Sequence, residues 1–235
     1  MDRDEQRTLL SKGSIEIKGR VAGSSNQALL VTVTLDGQSA QACYKAEAGE
    51  RSLWDFSDGL WRREVAAYEL DVVLATDLVP TTVARDDAPF GVGSLQWWVD
   101  DNLEDHYFTL RDNDEFFEWF AALAAFDVVA NNADRKAGHV IFDGARCWAI
   151  DNGLCFHQSD KLRTVVWEYA GREIDPALLD RLETFAQGQT GELSDYLNPT
   201  ELAIAQLRAQ HLVDSGHCPM PDEERDWPPY PWPLI

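Results

Sequence analysis

The segment from position 114 to 154 constrains this chain more than any other. Phe116, Phe117, Phe120, Leu123, Ala124 and Val128 recur with the spacing of a helix that carries a wide apolar face, starting from Asp114. The run stops at a polar loop, Asn131-Asn132-Ala133-Asp134-Arg135-Lys136-Ala137-Gly138-His139. Two short apolar runs follow, Val140 to Phe142 and Arg146 to Ile150, joined by Asp143-Gly144, a strong hairpin signal. The second run ends in Asp151-Asn152-Gly153. Helix, charged loop, hairpin and acidic turn in this order predict two acidic residues, Asp134 and Asp151, working at one site.

The segments on either side supply a small β-rich unit and further helices. Ser14 to Val21, Leu29 to Leu35 and Ala40 to Ala46 are apolar or alternating between turn residues and predict three antiparallel strands. Trp61, Val65, Tyr68 and Val72 recur at helical spacing, so Leu60 to Leu74 is expected to be a helix capped near Ser57 or Asp58. Val79 to Val83 and Gly93 to Val99 read as two more strands around the turn residues Asp86-Asp87-Ala88-Pro89. Later helices should start at Asp175-Pro176 and at Asn198-Pro199, the second with Glu201 placed for a capping box and Gly216 as its stop. Trp227-Pro228-Pro229-Tyr230-Pro231-Trp232-Pro233 cannot be helical and reads as an extended strap. The expectation is an α+β chain folded as one bilobal unit, with a small lobe to about residue 96, a mainly helical lobe from about 97 to 235, and a strap over 219–235.

Charge excludes some partners. Twenty Lys and Arg against 41 Asp and Glu give a formal charge of -21, which repels nucleic acid and anionic membrane surfaces. No apolar run approaches the ~18 to 20 residues that cross a bilayer, and Met1 to Arg7 is charged where a signal peptide turns apolar. A cytoplasmic setting is expected. Cys43, Cys147, Cys155 and Cys218 form no Cys-x-x-Cys pair, so neither a disulfide framework nor a zinc knuckle is indicated.

The loop chemistry points to phosphoryl transfer, which demands positive charge around phosphates and an acceptor hydroxyl held in line. Asp134 is placed as the base that orients the hydroxyl, Lys136 as a cation for the transferred group, and Asp151 as a metal ligand. Lys45, a charge in the strand Ala42-Cys43-Tyr44-Lys45-Ala46, needs an anionic partner if it faces inward. Phosphate and Glu64 are the natural candidates, with Glu69 as the alternative; Glu47 and Glu50 are too near in sequence to reach back easily. The turn from Gly19 to Asn26, with Gly23, Ser24 and Ser25, is small enough for its amides to approach a phosphate.

Four ordered blocks carry a family resemblance: Glu64 to Asp71, Val79-Pro80-Thr81, Asn132 to Arg135, and Ala149 to Phe156. Together they resemble the phosphatidylinositol 3-/4-kinase-related group, above all the type II phosphatidylinositol 4-kinases and their bacterial, including actinobacterial, relatives. The resemblance implies a bilobal protein-kinase-like fold that binds ATP with Mg2+ or Mn2+. It implies Lys45 on the α- and β-phosphates, Glu64 holding Lys45, Trp98 and Val99 at the hinge against the nucleotide, Asp134 as base and Asp151 on the metal. One departure matters: His139 occupies the position of the family's metal-binding Asn, and nitrogen suits manganese better than magnesium. Asn152 is a second candidate for the missing amide oxygen. The acceptor expected is a hydroxyl of a protein or soluble small molecule; the alternatives are an ATP-binding pseudokinase with a regulatory role and a phosphatidylinositol kinase.

Overall fold

The computed structural model describes residues 1–21, 27–101, 104–222, 224 and 227–235. It opens with a helix that the apolar pattern does not announce, α1 (Arg3–Lys12), set by a capping box. The Asp2 carboxylate accepts from the Glu5 amide at 2.9 Å, and the Glu5 carboxylate accepts from the Asp2 amide at 3.0 Å. Leu9 and Leu10 are buried against the sheet that follows.

That sheet contains β1 (Ser14–Arg20), β2 (Leu29–Leu35), β3 (Gln38–Ala46), β4 (Thr82–Arg85) and β5 (Gly93–Trp97), antiparallel throughout in the order β1-β2-β3-β5-β4. Val31, Val33, Ala42 and Tyr44 share the face that packs with α1. Lys45 has the opposite parity to Tyr44 and Ala46, and strand geometry turns it away from that core. Gly93 makes the register possible: a Cβ there would sit 2.3 Å from the Lys45 carbonyl oxygen and 2.8 Å from Ala46 Cα. The two later strands are shorter than expected. Leu78 and Val79 donate their amides to the Asp71 carboxylate at 2.8 and 3.3 Å, so the ladder begins only at Thr82.

The other part is mainly helical: α2 (Leu60–Leu74), α3 (Tyr107–Leu110), α4 (Phe117–Ala130), the hairpin β6 (Val140–Phe142) and β7 (Cys147–Ala149), then α5 (Pro176–Ala186) and α6 (Pro199–Ser215). Its core gathers Leu70, Phe120, Leu123, Phe126, Phe156, Leu182 and Phe185. Helices α5 and α6 start at the expected caps, Asp175 and the Asn198–Glu201 capping box, and α6 stops at Gly216 with φ 68. The architecture is the expected α+β class, a small antiparallel lobe beside a helical one.

Helix α2 has the expected bounds but not the expected cap or face. Gly59 is the N-cap, and the Glu50 carboxylate accepts from the amides of Gly59, Leu60 and Trp61 at 2.8, 2.9 and 2.7 Å. Neither Ser57 nor Asp58 does this work. Glu50 lies too close to reach back to Lys45 but is well placed to cap, and Glu47 accepts from Trp61 Nε1 at 2.7 Å. The helix is wedged between sheet and helical lobe and buries 12 of its 15 residues, so Val72, assigned to the buried stripe, is the face left 43% exposed. No described helix is long and apolar enough to cross a membrane.

Candidate active site

Lys45 closes the distance between the two lobes. Its ammonium pairs with Glu64 Oε1 of α2 and lies 2.8 Å from Asp151 Oδ1, just beyond β7. Burial works against the Lys45 charge, but Asp151 and Glu64 outweigh it and raise its pKa. The Lys45 ammonium in turn holds the Asp151 carboxyl well below the usual carboxylate range, against its burial. Glu64 is nearly buried, and its second oxygen accepts from the Asn152 amide at 3.0 Å, so one carboxylate orients both the lysine and the acidic turn. Glu69, the alternative partner, points elsewhere and pairs with Arg7 at 2.8 Å.

Asp151 itself sits at φ 57, in the left-handed region that few side chains other than Asn and Asp accept. Its side chain remains 42% exposed.

On the neighbouring loop Lys136 Nζ lies 2.9 Å from Asp134 Oδ2. Burial raises the Asp134 pKa and Lys136 partly offsets it. The loop's shape comes from a residue that reads in sequence as a solvated charge: Arg135 has no exposed surface. It reaches both Asp127 oxygens at 3.1 to 3.2 Å, the Ile150 carbonyl at 2.8 Å and Asn152 Oδ1 at 2.6 Å. Asp127, inside α4, also accepts from Thr164 Oγ1 at 3.0 Å, while Asn132 Oδ1 accepts from the Asp134 amide at 2.9 Å. A charge inside an apolar helix and the doubled Asn131-Asn132 were the available sequence signals for this network.

The same network corrects one expectation. The Asn152 amide oxygen is buried and engaged by Arg135, with its NH2 directed at the Ala149 carbonyl, so it is not free to replace a missing metal ligand. His139 is better placed, with Nε2 3.3 Å from Asp151 Oδ2. Burial pushes its pKa down to about 4, which keeps the imidazole neutral. Among the described residues no three His, Cys, Asp or Glu side chains converge into a metal cage. Asp151 and His139 supply one oxygen and one nitrogen donor, the partial protein set that suits an ion completed by substrate phosphates and water.

Trp98 and Val99 follow β5, half-buried, in the segment leaving the sheet; the Trp98 amide donates to Gln41 O at 3.1 Å and Nε1 to Asp100 at 3.0 Å. Gly23, Ser24 and Ser25 lie outside the described residues. A hollow of about 10 Å3 is lined by Gln27, Lys45, Glu64 and Gly153, among others. A far larger one, about 1030 Å3, lies between the starts of α4 and α5 and holds none of the residues above. The cluster of charges, rather than cavity size, marks the site.

No protein-family model matches the chain. It is 34% identical over 273 residues to Protein Rv2133c of Mycobacterium tuberculosis, covering 99% of this chain and 96% of that protein. The crystal structure of the golgi casein kinase matches 93% of this chain and 79% of its own with a TM-score of 0.58 at 11% identity. Hydra Fam20, solved with sugar, matches 92% and 88% with a TM-score of 0.56 at 14% identity. The Helicobacter pylori proinflammatory kinase CtkA matches 89% and 94% with a TM-score of 0.51 at 11% identity. Likeness at such identities is a likeness of fold, and the fold is kinase-like.

Proposed function

The chain belongs to the family of Protein Rv2133c, and from its kinase-like fold and charged cleft we propose that it is an ATP-dependent phosphotransferase acting on a hydroxyl group. The observation that carries the proposal is Lys45 held between Glu64 and Asp151. A kinase needs a lysine for the α- and β-phosphates, an acid that orients it and a second acid for a divalent ion, within reach of a base loop.

In this reading Lys45 grips the α- and β-phosphates while Glu64 keeps it in place. Gly23, Ser24 and Ser25 are assigned to the phosphates on sequence alone, and Trp98 and Val99 flank the base. The acceptor oxygen attacks the γ-phosphorus, the bond to the β,γ-bridging oxygen breaks, and ADP leaves. Asp134 takes the hydroxyl proton, and Lys136, now paired with Asp134 at 2.9 Å, turns toward the transferred group. Asp151 and His139 would hold Mg2+ or Mn2+, and the neutral imidazole beside the partly exposed Asp151 carboxylate fits such an ion. When bound, the ion supplies charge neutralisation on the phosphates.

The acceptor favoured is a protein or soluble small molecule in the cytoplasm. The four sequence blocks support a phosphatidylinositol acceptor as the alternative, but a charge of -21 opposes docking to anionic headgroups. His139 in place of an oxygen ligand favours a second reading, a nucleotide-binding pseudokinase. Phosphate transfer from γ-labelled ATP, with Asp134→Asn as control, separates them. Turnover lost at least ~100-fold in the variant while ATP still binds supports the enzyme; ATP binding without turnover in either metal supports the pseudokinase.

A further inference from the structure

The tail is seated on the base loop. The carbonyl of Leu234 accepts from the Ala137 amide at 2.8 Å, three residues after Asp134. The carbonyl of Pro229 accepts from the Thr164 amide at 3.1 Å and from Trp167 Nε1 at 2.8 Å. Pro231, between these two anchors, is buried. At the near end, the Trp227 ring stands 5.7 Å from Lys161 Nζ and 5.9 Å from the Arg163 guanidinium, whose charge also bears on Asp134.

These are contacts of the kind a bound peptide makes: backbone carbonyls on amide and indole donors of the shelf, with a buried side chain between them. The shelf consists of the base loop and the 161–167 segment, which pair through the Arg135 amide on the Arg163 carbonyl at 3.0 Å and the Val165 amide on the Arg135 carbonyl at 3.1 Å, beside Asp134. The segment from Trp227 to Ile235 brings no serine or threonine to it, and its one hydroxyl, Tyr230, is on a residue 45% exposed. Its hold is slight, since Trp232 is 86% and Ile235 62% exposed. Segments with few buried contacts are those that open first.

Building on the phosphotransferase reading, we propose that this shelf is an acceptor site for a polypeptide segment, covered in cis by residues 227–235 as a non-reactive stand-in. The transfer itself is unchanged: the incoming Ser or Thr oxygen bonds to the γ-phosphorus, ADP departs and the proton passes to Asp134. The tail must lift before that oxygen can arrive.

The test compares the full chain with one truncated to residues 1–226, using a labelled synthetic peptide of residues 227–235 and ATP turnover with a mixed Ser/Thr peptide library. Thermal protection by ATP is measured on both as a separate check of the nucleotide reading. The inference predicts that the peptide binds the truncated chain at least tenfold more tightly than the full chain, that library phosphorylation rises at least threefold on truncation, and that added peptide reverses the rise. Equal peptide binding or an unchanged or lower rate, with ATP protection intact, overturns the inference and leaves the phosphotransferase reading standing. Loss of ATP protection in both chains overturns both. If the truncated chain does not fold, full-length Trp227→Ala/Pro231→Ala carries the test: hydrogen exchange at the Ala137 and Thr164 amides should quicken at least tenfold, and unchanged exchange contradicts the proposal.

Discussion

Lys45 Nζ lies 2.8 Å from Asp151 Oδ1 across 106 positions of sequence, so the sheet and the acidic turn beyond β7 share one ion pair. Glu64 is the third member and the most buried, and removing the lysine strands it. Lys45→Met is expected to destabilise the chain by about 3 kcal/mol, because an uncompensated buried carboxylate costs more than the pair contributes. Adding Glu64→Gln should recover part of that loss. Urea midpoints for the two single variants and the double variant give the coupling, and strict additivity contradicts a shared pair.

Arg135 is expected to be as sensitive as any catalytic residue, although it faces no cleft. Arg135→Met leaves Asp127 charged and fully buried, at a cost of about 3 to 5 kcal/mol. Arg135→Met/Asp127→Leu should be more stable than the single variant, as measured by chemical denaturation, yet should not recover ATP turnover, because Ile150 and Asn152 lose their common donor. Recovered turnover in the double variant contradicts a positioning role.

The loop and hairpin around this network show what could be read in sequence. The order of helix, Asp134 loop, hairpin and Asp151 turn is local, and each junction carries its own signal, an apolar period, Asp143-Gly144, or a capping pair. Lys45 with Glu64 was legible because a lone charge in an apolar strand demands a partner. Arg135 was not, since Asp-Arg-Lys has the composition of a solvated turn and its burial depends on Asp127, Thr164 and Asn152 arriving from three other segments. Helix α1 escaped notice because only Leu9 and Leu10 are buried and its start is a polar capping box. The Glu50 cap on α2 was likewise a tertiary arrangement.

Stability should depend on pH through Glu69. Burial lifts its pKa from 4.5 to about 7 in spite of Arg7, so between these values the folded chain binds more protons than the unfolded one. Stability from this group is full below about 4.5 and falls as pH rises toward 7. Glu69→Gln removes the dependence and should gain about 3 kcal/mol relative to wild type between pH 4.5 and pH 8. Denaturant unfolding at both pH values measures it; a constant difference contradicts the assignment.

The nitrogen donor of His139 should set metal preference. His139→Asn exchanges imidazole for an amide oxygen beside Asp151 and is expected to improve ATP affinity in Mg2+ relative to Mn2+ by roughly tenfold. Isothermal titration of ATP in each metal reads the ratio, and an unchanged ratio removes His139 from the ligand set.

The central claim, an ATP site built on Lys45 and Asp151, is tested most directly by thermal unfolding with ATP in EDTA, Mg2+ and Mn2+, on wild type and Asp151→Ala. ATP at ~100 times its dissociation constant should stabilise the fold by about 2.7 kcal/mol, a rise of several degrees. The account predicts a metal-dependent rise in wild type that is lost in Asp151→Ala. No rise in any metal, or an equal rise in the variant, contradicts it.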